Sequence, residues 1–244
     1  MEVGFKTDKG VRRTNNEDAF FVMSHDGIYI LADGVGGTNS GEIASRTAVN
    51  EIAQYFEDNP LAGGTTEDIC REMNKALQRA NYRVFDMALR FSANRGMATT
   101  IIFACVRGKD IYICNVGDSR AYLYDGKGLI RLTEDHTYVN ELVKAGIITK
   151  EEAEMREDKN KITRAVGAEY EITPDFFHVT YKENCKLLLC TDGLHDEVPE
   201  VDIAAVFDEN LSMIETCDTL VAMANENGGN DNITVIAVRL MEDE

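Results

Sequence analysis

The sequence predicts an α+β fold, a four-layer α-β-β-α sandwich in which two central antiparallel β-sheets pack face to face with helices outside. Three observations predict it. Strand patterns open, occupy the middle of and close the 244-residue chain. The middle strands lie too close together for crossover helices, so they must pair antiparallel. The helical patterns come as two pairs, 40–57 with 66–90 and 201–207 with 212–225, natural cover for opposite outer faces.

Taken in order, residues 3–6 and 19–23 read as short strands, and a turn at His25-Asp26-Gly27 leads into a third strand, Ile28-Tyr29-Ile30-Leu31-Ala32. That strand delivers Asp33 into the loop Gly34-Val35-Gly36-Gly37-Thr38-Asn39. The first helix, 40–57, repeats apolar residues at three and four positions through Ile43, Ala44, Thr47, Ala48, Ile52 and Phe56, and Pro60 with Gly63-Gly64 stops it. Thr66 and Glu67 open a longer amphipathic helix to Arg90, with Ile69, Met73, Leu77, Ala80, Val84 and Met87 on one stripe.

Residues 99–106, 111–116 and 120–124, separated by turns at Gly108 and Gly117-Asp118 and followed by one at Asp125-Gly126, read as an antiparallel meander. From 138 to 160 the chain turns charged and weakly amphipathic, anchored by Leu142, Val143, Ile147 and Ile148, which predicts a pair of short helices forming a flap. Residues 172–180 and 186–190 return to strand, and 233–238 form a buried final strand. No linker or internal repeat divides the chain, so a single domain over 1–244 is expected, with the flap as a subregion at 138–161.

Composition narrows the function. There are 43 acidic against 25 basic residues, a formal charge of -18, and such a field repels nucleic acid and anionic membrane while attracting divalent cations and basic protein segments. The first thirty residues lack a secretory pattern, and no apolar run reaches the length of a membrane span. A soluble, cytoplasmic protein is expected, with neither nucleic acid nor membrane as partner. The six cysteines form no CxxC pair, and four sit inside apolar strand patterns, where reduced thiols act as small core residues.

The chemistry lies in five acidic residues, Asp18, Asp33, Asp118, Asp192 and Asp231, spread over almost the whole chain in short Gly-rich or Asn-rich turns. Asp33, Asp118 and Asp192 follow or join strands beside Gly, where backbone can approach closely. An isolated Asp-Gly is usually a hairpin turn, and Asp26-Gly27 and Asp125-Gly126 read as that alone. At Asp33 the Gly-rich loop lets a metal reach the carboxylate and a backbone carbonyl together, and at Asp231 the Asn side chains of Gly228-Gly229-Asn230-Asp231-Asn232 can orient the ligand. A set of oxygen donors without a His or Cys cluster selects Mg2+ or Mn2+ over Zn2+. Two such ions about 3.5–4 Å apart would activate a bridging water and clamp a phosphoryl group. Metal-dependent phosphoester hydrolysis is the first reading and a nucleotide-cleaving or other two-metal hydrolase the second. Arg13, five residues before Asp18, suits a phosphate fork, and Arg12 beside it is equally placed.

These residues together resemble the PP2C-like (PPM) serine/threonine phosphatases of the compact bacterial type. Arg13-Thr14-Asn15-Asn16-Glu17-Asp18 resembles the family's Arg-x-x-Asn-Glu-Asp motif, and Asp33-Gly34-Val35-Gly36-Gly37 its Asp-Gly-x-Gly-Gly. Ala98-Thr99-Thr100, Gly117-Asp118-Ser119-Arg120, Thr133-Glu134-Asp135-His136, Thr191-Asp192-Gly193 and Gly229-Asn230-Asp231-Asn232 follow in family order. The resemblance implies that Asp33 bridges two Mn2+ or Mg2+ ions, that the Gly34 carbonyl completes one shell, that Asp192 and Asp231 serve one ion each, and that Asp18 holds coordinating water. It implies a third, weaker metal position at Asp118 and Asp192. It chooses Arg13 over Arg12 for the substrate phosphate, gives Glu17 the orientation of metal-bound water and Asn232 the positioning of Asp231, and makes His136 a candidate for a supporting role behind the ligands.

The activity so implied is hydrolysis of phosphoserine and phosphothreonine in proteins, by direct attack of a metal-bridging water or hydroxide. Phosphorylated proteins, including a bacterial-type Ser/Thr kinase and its substrates, are the expected partners, and a monomer the expected state. The alternative is a catalytically inactive phosphoprotein-binding module of the same fold. Three positions depart from the family pattern. Val35 stands where animal members carry a His proposed to protonate the leaving group, Ala98 replaces a Gly, and His195, expected to be structural, stands where Thr or Trp is commoner.

Overall fold

The computed structural model describes residues 1–36, 40–61, 63–182 and 184–240. Strands β1 (Glu2–Asp8), β2 (Asp18–Met23) and β3 (Ile28–Val35) open the chain, followed by helices α1 (Ser40–Asp58) and α2 (Thr66–Arg90). Next come β4 (Ala98–Thr99), β5 (Ile101–Arg107), β6 (Asp110–Val116), β7 (Arg120–Tyr124) and β8 (Leu129–Arg131). After them are α3 (Tyr138–Lys144), α4 (Lys150–Glu154), β9 (Asp175–Thr180), β10 (Lys186–Cys190), α5 (Asp192–His195), α6 (Glu200–Asp208), α7 (Met213–Glu226) and β11 (Ile233–Arg239).

One sheet runs β1-β11-β10-β7-β8 and the other β2-β3-β5-β6-β9, with β4 also paired to β3. Every pairing is antiparallel. The central strands read as nearly continuous apolar runs because both of their faces are covered. Successive side chains alternate between faces, so Ile28 and Ile30 pack under α1 and α2 while Tyr29 and Leu31 enter the space between the sheets. In β11, Val235 and Ala237 meet the α6/α7 layer, and Ile236 and Val238 point the other way. The two helix pairs thus cover opposite faces, giving the four layers. Helix α2 starts on a capping box in which Thr65 and Asp68 satisfy each other's backbone N–H groups, and it buries Ile69, Met73, Leu77, Ala80 and Val84.

The predicted meander is corrected at one joint. Strands β5 and β6 pair as expected, but β7 leaves for the other sheet, where it pairs with β10 and β8. The crossing is made at Gly117, whose φ of +109 suits glycine. A Cβ there would stand 2.6 Å from the Cβ and Cγ2 of Thr100, so the corner is packed too tightly for a side chain. Asp118 is the next residue, and the crossing carries it to the gap between the sheets. The short edge strand β8 was not anticipated, and β9 begins at Asp175 rather than 172 because Ile172 packs against the α1/α2 layer, its carbonyl accepting from Gln78. Ala98 lies in β4 opposite Val35, and the only non-glycine residue with positive φ among those described is Asn184, so its Cβ costs no backbone strain. Among the described residues no helix is long and apolar enough to cross a membrane.

Candidate active site

Five chain segments place their acidic residues at one end of the paired sheets. Asp18 opens β2 directly opposite Asp33 in β3, so one strand pair supplies two of the carboxylates. Asp118 lies just past the β6 corner, Asp192 opens α5 immediately after β10, and Asp231 precedes β11. Since β10 and β11 are neighbours, their ends bring Asp192 and Asp231 together. The cleft between these segments has a volume of about 210 Å³ and is lined by Arg13, Glu17, Asp33, Gly34, Val35, Gly36, Thr100, Asp118, Asn160, Ile162, Asp192, Asp231 and Asn232. Gly37, Thr38 and Asn39, part of the loop expected beside Asp33, lie outside the described residues.

The backbone around the acids is held by hydroxyls and amides. The Asp33 carbonyl accepts from Thr99 Oγ1 at 2.7 Å and from the Thr100 N–H at 2.8 Å, while its own N–H donates to Thr100 Oγ1 at 3.0 Å. Asp18 Oδ2 accepts from Thr234 Oγ1 at 2.6 Å and Thr191 Oγ1 at 3.0 Å. Asn232 gathers the N-terminal motif: its Nδ2 donates to the carbonyls of Lys9 (2.9 Å) and Asn15 (2.8 Å), and its Oδ1 accepts from the Glu17 N–H at 2.8 Å. Only its backbone N–H reaches Asp231, at 2.7 Å from Oδ1. Glu17 Oε1 accepts from Asn15 Nδ2 at 3.0 Å. Arg13 Nη2 donates to Asp231 Oδ2 at 2.5 Å, a half-exposed pair that solvent screens and a competing anion can open.

Burial and like charge both disfavour ionised carboxylates at this centre. Burial first, then the neighbouring carboxylates, push Asp33 and Asp118 well above the usual range, and burial raises Asp18 to about 8. Asp192 is raised chiefly by burial, against the opposing pull of His195. Asp18 Oδ1 and Asp192 Oδ1 are buried with no protein partner. Orphaned carboxyl oxygens in an all-oxygen setting fit a hard divalent cation, which would satisfy both. Among the described residues no three acidic, histidine or cysteine side chains are drawn together closely enough to form a metal cluster as they stand.

The structure thus brings Arg13, Glu17, Asp33, Gly34, Asp118, Asp192, Asp231 and Asn232 to one cleft, with Asp18 behind its wall; His136 stands apart, behind the Gly117 corner. His195 is buried, with Nε2 at 3.1 Å from the Asp118 carbonyl and Nδ1 at 3.4 Å from Asp196 Oδ1, a structural placement. Sequence reasoning assigned no role to Thr100, Thr191 and Thr234, although each stands in or beside a motif. Asn160 and Ile162, which reach the cleft from the end of the flap, carry no local signal.

A family model described as protein phosphatase 2C matches residues 9–232. A serine/threonine phosphatase, stp, of Listeria welshimeri is 37% identical over 241 residues, covering 98% of this chain and 95% of the relative. Protein phosphatase PhpP of Streptococcus pneumoniae is 36% identical over 248 residues, covering 100% and 99%. Among solved structures, the catalytic domain of serine threonine protein phosphatase PstP in complex with two manganese ions superposes with a TM-score of 0.86 at 29% identity, covering 98% of each chain.

Proposed function

The chain belongs to the protein phosphatase 2C family, and we infer from its cleft that it is a protein serine/threonine phosphatase acting on phosphoserine and phosphothreonine in proteins. The observation that carries this reading is the convergence of carboxylates from five distant segments, two with orphaned buried oxygens, around a cleft that also holds Arg13.

Asp33, the Gly34 carbonyl, Asp192 and Asp231 are the groups that would hold two Mn2+ or Mg2+ ions, with Asp18 supporting them and Asp118 with Asp192 forming a weaker third position. Bound there, the ions would supply acidified water as the nucleophile and neutralise the phosphoryl oxygens. The relative solved with two manganese ions supports a dinuclear requirement.

The chain's own residues do the rest. Arg13 exchanges Asp231 for the substrate phosphate and grips two of its oxygens, a fork-shaped contact that lysine cannot reproduce. Glu17, held by Asn15 and Asn232, faces the cleft as a hydrogen-bond acceptor that can orient water there. Attack by water directly on phosphorus, with no covalent enzyme intermediate, is the reading, the carboxylates that line the cleft being taken up as ligands. Residues 138–161 form the flap, whose last turn contributes Asn160 to the wall. Its expected partners are phosphoproteins in the cytoplasm, including a bacterial-type Ser/Thr kinase and its substrates, met by a monomer.

The deciding experiment titrates Mg2+ and Mn2+ separately against phosphoserine and phosphothreonine peptides. Chelator should abolish turnover, Mn2+ should restore it, and Asp33→Asn or Asp231→Asn should lower kcat at least a hundredfold. Full activity of either variant in chelator would overturn the reading.

A further inference from the structure

His136 is 3% exposed and stands outside the cleft, yet each of its polar atoms is engaged. Its backbone N–H donates to the Gly117 carbonyl at 2.9 Å, and its carbonyl accepts from the Thr163 N–H at 2.8 Å. Ring Nδ1 accepts from the Gly117 N–H at 3.1 Å. Ring Nε2 lies 3.2 Å from Asp175 Oδ2, and Arg164 Nη1, 3.3 Å from Nε2, donates to Asp175 Oδ1 at 2.9 Å.

These contacts fix the proton. A ring nitrogen that accepts a backbone N–H carries no hydrogen, so in a neutral imidazole the hydrogen must be on Nε2. Nε2–H then donates to Asp175, since Arg164 has only donors to offer and already serves the same carboxylate. Protonating Nδ1 would set two donors against each other at Gly117.

Both polar backbone atoms of Gly117 are therefore engaged by His136, whose ring takes the N–H, while Asn115 Nδ2 at 3.3 Å shares only the carbonyl. Gly117 is the crossing corner between the sheets, with Asp118 next in the chain. On its other side His136 meets the flap base, where Thr137 pairs with Ile162 and the Tyr138 N–H donates to the Lys161 carbonyl at 2.9 Å. We propose that His136 is a positioning residue: in its neutral Nε2–H form it fixes the Gly117 corner, and so the Asp118 carboxylate, and couples that carboxylate to the closed base of the flap. The assignment rests on the metal-binding role given above to Asp118.

Two variants of the full chain separate positioning from simple loss of a bond. His136→Asn keeps an acceptor near Nδ1 and gives up Asp175; His136→Gln keeps a donor near Nε2 and gives up Gly117. Titration calorimetry with Mn2+ should leave His136→Asn within about threefold of the parent, while His136→Gln should weaken, about tenfold or more, the Mn2+ step that Asp118→Asn removes. Equal weakening in both variants, or none in His136→Gln, overturns the proposal. Nitrogen NMR of the unaltered chain gives a reading independent of folding of the variants: Nε2 should be protonated and Nδ1 bare, and both should shift with the Gly117 amide as Mg2+ is added. A proton on Nδ1, or a ring indifferent to Mg2+, also overturns it. Neither method records turnover, so a chain that behaves as expected here but hydrolyses no phosphopeptide fails the phosphatase reading alone.

Discussion

Asp18 shows how a single side chain can serve the site at the expense of the fold. Burial raises its pKa from the ordinary aspartate value of 3.8 to about 8, with Asp192 and Asp231 pushing it the same way and the Thr234 and Thr191 hydroxyls opposing. Between those two values the folded chain keeps a proton that the unfolded chain releases, so this group makes metal-free stability fall as pH rises from about 4 to about 8. Asp33, Asp118 and Asp192 shift in the same direction. Asp18→Asn retains an oxygen to accept both hydroxyls and removes the charge. In chelator at pH 7.5 it should melt roughly 2–5 °C above the parent and show a flatter dependence of Tm on pH, while its Mn2+ affinity drops; a lower Tm in scanning calorimetry would count against this account. Arg13→Lys should raise KM for phosphopeptide about tenfold with a smaller effect on kcat, since the fork is lost and the charge kept; an unchanged KM would remove Arg13 from the phosphate. The acids were legible because carboxylates in short Gly-rich or Asn-rich turns are a local pattern, whereas Arg13 could be told from Arg12 only by the family motif it belongs to. Thr191 and Thr234 were not legible, because their task depends on meeting Asp18 across 173 and 216 residues of chain.

Among the elements, the flap is the one whose attachment can be loosened without disturbing the sheets. Its base is closed by the Thr137–Ile162 bridge, and its end is tied to the stretch after α5, where Asp196 Oδ2 accepts from Asn160 Nδ2 at 2.7 Å and Lys159 Nζ stands at 3.5 Å. Asp196→Ala removes that tie. Amides of residues 150–160 should then exchange with solvent several-fold faster, with the midpoint of global unfolding displaced by no more than about 2 °C; unchanged exchange would show the tie to be dispensable. Strand and helix identities were readable from period and punctuation, and the flap's two short helices were among them. The assignment of β7 to a sheet was not, because Gly117-Asp118 looks like any hairpin turn until the packing against Thr100 is known. Three-residue β8 offers too little pattern to announce itself, and the single turn of α5 is disguised by the Asp192-Gly193 pair that begins it.

For the whole molecule, the formal charge of -18 sets the terms of encounter with substrate. An acidic body slows a polyanionic peptide and favours one carrying Lys or Arg beside the phosphorylated residue. In a panel of phosphothreonine peptides differing only in flanking charge, basic flanks should give the higher kcat/KM, with an advantage that shrinks as salt rises from 50 to 500 mM, conditions chosen to span roughly a threefold change in screening length. A strong preference for acidic flanks would contradict the charge argument.

The first strand waits for the last. β1 has one partner, β11, and the register joins Glu2 to Arg239 and Asp8 to Ile233. A ribosome must therefore have made the chain through β11 before its opening segment can be seated, and Asp231 enters the acidic centre only with that strand. A partial translation product lacking β11 would be unfinished as a sheet, and, on the role proposed for Asp231, hydrolytic competence would be withheld from it until that strand is made.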